Sequence, residues 1–344
     1  MARPKQVVNI MRIAREAGIS HMTVSRVLNN RDNVSEATRE RVLALQKKYH
    51  FKQSSPKGIC NEKIAIVVHD LASDPYEQRI VKGVMDFNND NRFDITLTFA
   101  GQGANPFRNL RGLQCSGLIM PAGDIYRDRN DELLKLKMPV VLLDYIPDNS
   151  LLGGIDNDSY SGAVALAKYL LSLGHSKIAY LAHGLELRGD HKARLQGYLD
   201  TMNEAGFQAA SELVMAVNEV ELETGLDHWD NVPVALDRLL KRAPCTTAIM
   251  CADDNLAFHA MKALRSFRLN VPDDISITGF DNQSVAALWN PELTTVDHQI
   301  ERAGRLAAEA IAYAIDHPGA WDLPHITLPV KLIIRNSTTK PRKD

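Results

Sequence analysis

The chain has 344 residues, a formal net charge of −2 and 45% hydrophobic residues, which is too long for one compact core and enough for two or three domains. No apolar run is long enough to span a bilayer, and Met1-Ala-Arg-Pro-Lys-Gln6 lacks the apolar stretch of a secretion signal, so a cytoplasmic protein without membrane contact is expected. The charge is uneven: residues 1–58 hold twelve Lys and Arg against four acids, a net +8, which leaves −10 for the remainder.

A small basic head on an acidic body suits a nucleic-acid-binding module joined to a sensor or an enzyme. In the head, Ile10, Ile13, Ala14 and Ala17 recur at helical spacing and run into Gly18. A second helix begins after Ser20, with Val24, Val27 and Leu28 on one side. Two short helices joined by a glycine turn make a helix-turn-helix. The first residues of its second helix, here His21, Met22, Ser25 and Arg26, reach base edges in the major groove. An ordinary helical hairpin with Ser20 as N-cap is the plainer alternative. A third helix is expected from Ser35 to Tyr49, with Val42, Leu45 and Tyr49 on one face, closing a three-helix core. The polar run Lys52-Gln-Ser-Ser-Pro-Lys-Gly58 reads as a linker.

From residue 63, short β-rich apolar runs alternate with amphipathic stretches. Strands are expected at 64–68, 95–99, 117–120, 140–143, 178–181, 248–251 and 275–279. Helices are expected at 77–89, 131–136, 161–173, 194–205, 232–240 and 256–267. This alternation predicts an α/β body of doubly wound parallel sheets, and its length is best filled by two similar lobes. Ligands of such sheets bind beyond the carboxyl ends of the strands, so the cleft between lobes is the expected site.

Asp144, Asp253, Asp254 and Asp281 fall at or just after strand ends, and Arg194 opens a helix after a loop rich in Gly, His and Arg. Converging carboxylates and a guanidinium can bond sugar hydroxyls from several directions, since the former accept and the latter donates. Each of these residues also reads as a loop cap or surface ion pair. Gly101-Gln-Gly103 lacks the third glycine of a dinucleotide fingerprint and reads as a turn. His183 and His191 lack metal-ligand spacing, and no Ser/His or Cys/His catalytic set can be assigned. Cys60, Cys115, Cys245 and Cys251 form no Cys-x-x-Cys pair, and the last three lie in or beside apolar runs. Buried free thiols are expected, without disulfides, metal or cofactor.

Ala17-Gly-Ile-Ser-His-Met-Thr-Val-Ser-Arg-Val-Leu-Asn29 resembles the A-G-V-S-x-x-T-V-S-R-V-L-N of the LacI/GalR family of bacterial transcription regulators. Val34-Ser-Glu-Ala-Thr-Arg-Glu-Arg-Val42 resembles its V-S-x-x-T-R-x-x-V. Gly174-His175, Arg194-Leu-Gln-Gly-Tyr198, Asp273-Asp-Ile-Ser-Ile-Thr-Gly-Phe-Asp281, Leu293-Thr-Thr-Val296 and Arg335-Asn-Ser-Thr338 extend the likeness over nearly the whole chain. The resemblance implies a helix-turn-helix domain (1–50), a hinge (51–61) and a two-lobed core like periplasmic sugar-binding proteins (62–344). Three crossings between lobes would place 62–157 and 297–325 in the first lobe and 158–296 and 326–344 in the second. It also implies a homodimer on a pseudo-palindromic double-stranded operator. His21, Met22 and Arg26 would read bases; Asn9, Ser20, Thr23, Ser25, Asn29 and Ser35 would contact phosphates. Effector contacts carry over to Asp144, Arg194, Asp253 and Asp281, and to Tyr76, Trp289 and His298. The function implied is an effector-responsive repressor of carbohydrate-utilisation genes, relieved by a sugar or sugar derivative. A nucleoside or other non-sugar effector, or corepressor logic, stays open.

The chain departs from the family at several points. Phe51, Ser55 and Gly58 replace the hinge Pro, Ala and Leu, and Pro56 and Gly58 disfavour a hinge helix. Asp253-Asp254 replaces Asn-Asp, which would add a carboxylate to the pocket. Asp74-Pro-Tyr-Glu77 replaces Asn-Pro-Phe-Phe near the cleft mouth. The absence of a leucine-heptad tail predicts a dimer rather than a tetramer. Two other classes compete. A solute-binding protein should carry a secretion signal and no basic head. A glycoside-processing enzyme needs an acid and nucleophile pair that cannot be named.

Overall fold

In the computed structural model, residues 10–28, 34–49, 62–69, 71–72, 74–99, 110, 112–121, 129–184, 189–207, 211–224, 228–318 and 323–342 are described. The chain divides into two compact units, Met1–Cys60 and Asn61–Asp344.

The first unit holds α1 (Ile10–Ala17), α2 (His21–Leu28) and α3 (Glu36–Lys48). Ile13, Ala14, Val24, Val27 and Val42 close its core, with Leu45 and Tyr49 packed against it. The helix-turn-helix periodicity therefore buries the residues that the sequence selects. Gly18 takes φ +66 in the turn, where a side chain would be strained. The Ser20 hydroxyl accepts from the Thr23 N–H at 3.1 Å and starts α2 as an N-cap. Arg41 of α3 donates to the Ala17 carbonyl at 3.0 Å, and Glu16 accepts from Lys48 and from the Tyr49 hydroxyl. These bonds tie the third helix to the first. Asn9, Asn29 and the expected hinge 51–61 lie outside the described residues.

The second unit carries two parallel sheets. Its elements run β1 (Lys63–Val68), α4 (Pro75–Phe87), β2 (Asp94–Phe99), β3 (Gly117–Pro121), α5 (Asn130–Leu134), β4 (Val140–Leu143) and β5 (Gly153–Asn157). Next come α6 (Ser159–Ser172), β6 (Ile178–Ala182), α7 (Gly189–Glu204), β7 (Val214–Ala216), α8 (Val217–Thr224), α9 (Val232–Arg242), β8 (Ala248–Cys251), α10 (Asp254–Ser266) and β9 (Ser276–Thr278). The last are β10 (Thr295–Asp297), α11 (Ile300–Asp316), β11 (His325–Leu328) and β12 (Lys331–Ile333). One sheet has the order β11-β5-β4-β3-β1-β2 and the other β7-β6-β8-β9, and all their pairings are parallel. Strands β3, β4, β6 and β8 are buried along their whole length, which is why they read as unbroken apolar runs.

In the first lobe, β1 alternates. Ile64, Ile66 and Val68 join the cluster under α4 and α11, while Ala65 and Val67 join Leu110, Leu118 and Leu133 on the other face. Helices α4 and α11 cross at two glycines. A Cβ on Gly83 would lie 2.0 Å from the Glu301 carbonyl oxygen, and one on Gly304 would lie 2.4 Å from that of Ile80. The second lobe packs α6, α7, α9 and α10 around its sheet through residues such as Leu166, Tyr198, Leu239 and Leu256.

The chain passes between lobes three times, after β5, after β10 and after β11. The last two passages pair: β10 and β12 run antiparallel, with Val296 opposite Leu332. One boundary needs correcting. The return to the second lobe is expected at about residue 326, but Ile326 pairs with Ile155 and Leu328 with Asn157 in the first sheet, so it begins beyond Leu328. A second correction concerns the thiols: Cys251 is buried, but Cys245 is exposed and Cys115 half-buried, since an apolar neighbourhood in sequence does not fix which face a residue presents.

Candidate functional site

Arg194, on α7, is buried with 3% of its surface exposed. It donates to Asp190 at 2.8 Å and to the Ala252 carbonyl at 2.8 Å. It approaches the Asp281 carboxylate at 3.5 Å, and its guanidinium lies 3.9 Å from the centroid of the Phe280 ring. It also donates to the Ser159 hydroxyl at 3.3 Å. Ser159 donates to Asn157 at 2.7 Å, and Asn157 donates to Asp144 at 3.2 Å. Tyr76 donates its hydroxyl to the same carboxylate and stacks on His298, 6.3 Å between centroids. His298 Nε2 stands 3.2 Å from Asp281 without hydrogen-bond alignment. A chain of hydrogen bonds and ion contacts, completed by the Tyr76–His298 stack, therefore runs through both lobes, with Tyr76, Asp144 and Asn157 on one side and Ser159, Arg194 and Asp281 on the other.

The local backbone explains how these side chains come together. Asp74 accepts from the Tyr76 N–H at 2.9 Å, and Pro75 opens α4, which aims Tyr76 inward. Asp144 and Asp281 follow β4 and β9 with φ of +58 and +114. Such left-handed residues cost of order 1–3 kcal/mol each and collect at functional sites. Arg79 braces the Asp281 turn by donating to its carbonyl at 2.6 Å, and grips Glu301 with two bonds of 2.8 Å. A narrow crevice is lined by Tyr76, Asp144, Asn157, His298 and Ile300.

Burial dominates the electrostatics. It pushes Asp144 up to about 6, helped by the neighbouring Asp190 charge, and it pushes Asp74 up to about 6. Tyr76 is raised by burial and by the Asp144 charge. For Asp253 burial opposes ionisation, but the His183 imidazolium outweighs it and holds the carboxyl well below the usual range.

The expected extra carboxylate does not add free charge to the cleft. Asp253 accepts from the Leu256 N–H at 2.8 Å as the cap of α10 and pairs with His183. Asp254 is fully buried and accepts from the Gln283 N–H at 2.7 Å and the Thr295 hydroxyl at 2.5 Å. The helix start and the β9 turn need those acceptors, so both acids are consumed locally. Trp289 is not brought to the circuit: it packs on Phe258 of α10 at 4.8 Å, where the second lobe's core claims it.

Sequence reasoning missed Arg79, Asn157 and Ser159, polar residues indistinguishable from a solvated face. It also missed a group of rings at the carboxyl edge of the second sheet. His183 Nδ1 lies 2.8 Å from His228 Nε2, His191 meets His183 edge-on at 5.6 Å, and Trp229 stacks on His259 at 4.4 Å. Among the described residues no three His, Cys, Asp or Glu side chains are placed to hold a metal ion. No helix there is long and apolar enough to cross a membrane.

In the head, Ser20, His21, Thr23 and Ser35 are at least partly exposed. Met22, Ser25 and Arg26 occupy backbone positions on α2. Asn9 and Asn29 are outside the described residues.

Residues 9–54 match the model of bacterial regulatory proteins of the lacI family, and residues 167–338 match that of the periplasmic binding protein-like domain. The chain belongs to the lacI family of bacterial regulators. It is 26% identical to catabolite control protein A of Priestia megaterium, over 96% of this chain and 99% of that protein. It is 28% identical to the HTH-type transcriptional repressor PurR of Mannheimia succiniciproducens, over 97% and 99%. Among solved structures it resembles the transcriptional regulator CelR–cellobiose complex, with TM-score 0.67, 26% identity, and 96% and 100% of the two chains covered. As a lacI-family member the protein is a DNA-binding transcriptional regulator with an effector-binding core.

Proposed function

We propose that the protein is a cytoplasmic homodimeric repressor of carbohydrate-utilisation genes, released from a pseudo-palindromic operator by a sugar, and that it catalyses no reaction. The observation that carries the reading is the circuit of contacts centred on Arg194, which spans the two lobes. Tyr76, Asp144, Arg194, Asp281 and His298 supply donors and acceptors for a hydroxylated ligand, and entry of that ligand replaces some of the circuit's internal bonds. A ligand that bonds the two walls in one lobe arrangement better than in another shifts the population toward it, by no more than its differential affinity.

His21, Met22 and Arg26 read bases; Ser20, Thr23, Ser25 and Ser35, with Asn9 and Asn29, position the head on phosphates. The cellobiose bound by the structural neighbour supports the sugar class.

The test begins with operator selection from random DNA by the full-length protein. Arg26→Ala is expected to lose ~1–3 kcal/mol of discrimination at one base pair, with non-specific binding largely kept. Equal losses on operator and random duplexes would overturn the base-reading role. Release of the selected operator by a neutral sugar, and by no nucleoside, is the expected effector response.

A further inference from the structure

We infer that Arg79 is a positioning residue for the effector response: a clasp rooted in the first lobe that closes on the Asp281–Asn282 turn of the second, and so fixes both the lobe arrangement and the direction of the Asp281 carboxylate. The inference deepens the effector-cleft reading above and rests on it for the ligand's part.

Arg79 lies on α4 with only 16% of its side chain exposed. Its guanidinium is used on two sides. Nε and Nη2 each donate to Glu301 of α11 at 2.8 Å, a two-pronged grip within the first lobe. Nη1 donates to the second lobe, to the Asp281 carbonyl at 2.6 Å and the Asn282 carbonyl at 3.3 Å. The base of the clasp is firm. Gly83, one turn along α4 from Arg79, packs against the Glu301 carbonyl, so the helix crossing and the ion pair fix the same spot.

The turn that it holds is strained. Asp281 and Asn282 have φ of +114 and +51, two successive residues in a region where side chains persist only under constraint from their surroundings. The second lobe supplies part of that constraint. The Asp281 N–H donates to the Val296 carbonyl at 2.8 Å and the Asn282 N–H to the Thr295 hydroxyl at 3.3 Å. Arg335 donates to the Asn282 side-chain oxygen at 2.7 Å. The two carbonyls are held from the first lobe, by Arg79. When the lobes part, the grip on Glu301 stays in one lobe and the turn leaves with the other, so the carbonyl contacts are the ones that break. They belong to one lobe arrangement and bias the population toward it.

Asp281 carries the clasp into the cleft. Its carboxylate stands 3.5 Å from Arg194 and 3.2 Å from His298, while its carbonyl is on Arg79. A backbone rotation that frees the carbonyl swings the carboxylate as well. The clasp keeps Asp281 facing Arg194 and the two walls together, the arrangement that a bridging ligand needs. Its loss lowers the competent fraction, and the apparent affinity falls with it. Lysine cannot replace the arginine. A guanidinium presents its donors along a rigid fork, whereas an ammonium is a single point, and one point cannot grip Glu301 and also reach both carbonyls.

Hydrogen exchange of the effector-free, full-length protein is followed by mass spectrometry in wild type, Arg79→Lys, Arg79→Ala and Glu301→Gln. Both Arg79 variants are expected to speed exchange over residues 279–283 at least tenfold and to leave β6 and β8 unchanged. Glu301→Gln keeps an acceptor for Arg79 and is expected to speed it less; the reverse order places the constraint in the ion pair and overturns the clasp. Unchanged exchange at the turn overturns it too, as does equal acceleration throughout the second lobe, since Arg79 then serves the fold. Calorimetry with glucose, cellobiose and ribose reads the ligand's part. A sugar that binds wild type is expected to bind Arg79→Lys at least threefold more weakly, and equal affinity beside a loosened turn overturns the positioning role. If none of the three binds wild type, it is the sugar reading that fails, and exchange alone decides the clasp.

Discussion

Asp144 sits where burial favours its proton and the Tyr76 hydroxyl favours its charge. Burial prevails, and the carboxyl titrates near 6 instead of at its ordinary 3.8. The folded chain then holds a proton that the unfolded chain has released between those values, so this group's stabilisation is complete below the ordinary value and fades as pH rises through about 6. Asp144→Asn cannot titrate. Relative to wild type it is expected to gain ~1–2 kcal/mol between pH 4.5 and 7, a figure reduced for the group's partial exposure. Urea melts of the effector-free protein at several pH values check this; a parallel pH dependence of the two proteins would refute it. Asp144 and Asp281 are legible in the sequence because strand ends announce them, and Arg194 because it follows a polar loop into a helix. Tyr76 and His298 come only through family likeness. Asn157 and Ser159 stay hidden, since a polar pair between a strand and a helix carries no mark of the guanidinium it will support.

The elements show the same division. Strands β1, β3, β4, β6 and β8 are legible because burial on both faces demands apolar runs. Strand β5 is not, because Gly153 and Gly154 contribute no hydrophobic signal; they are there because Cβ atoms would strike Val141 at 2.9 Å and the Tyr145 carbonyl at 2.6 Å. Strands β7, β10 and β12 have three residues each, too few for a period. Helix α11 escapes for a related reason. Its buried face is Gly304, Ala307, Ala308, Ala312 and Ala314 with two isoleucines, small residues that give little contrast with the solvent side. That smallness lets α4 approach. Gly304→Ala is expected to cost ~1–3 kcal/mol, as overpacking does, and chemical denaturation of the full chain measures it. A neutral outcome would mean that the helices separate freely.

For the whole molecule, a regulator with two ligands obeys linkage: if the effector changes operator affinity by some factor, the operator changes effector affinity by the same factor. A coupling of ~1–3 kcal/mol, or 5–150-fold, is typical. Effector titrations with and without saturating operator duplex are expected to return the ratio seen when operator titrations are run with and without effector. Unequal ratios at equilibrium would show that a further species, such as a changed oligomer, takes part. The basic head and acidic core are both legible from charge and period alone. The pairing of lobe with lobe is not, because it depends on residues far apart in the chain, such as Arg79 and the Asp281 carbonyl, 202 positions away.

The antiparallel pairing of β10 with β12 bears on how such a body can move. Two of the three strands of chain that pass between the lobes are bonded edge to edge and must swing as one ribbon. The third passage, Asn157-Asp158-Ser159, is bonded to them: the Asp158 N–H donates to the Leu328 carbonyl at 3.0 Å, and the Asp158 carboxylate accepts from the Ser161 N–H at 3.0 Å. The three passages therefore act as one hinge, and the lobes rotate about it together because no connection can shift independently of the others. A ligand held between the lobes then needs to set a single angle, and the rest of the body follows as a rigid lever.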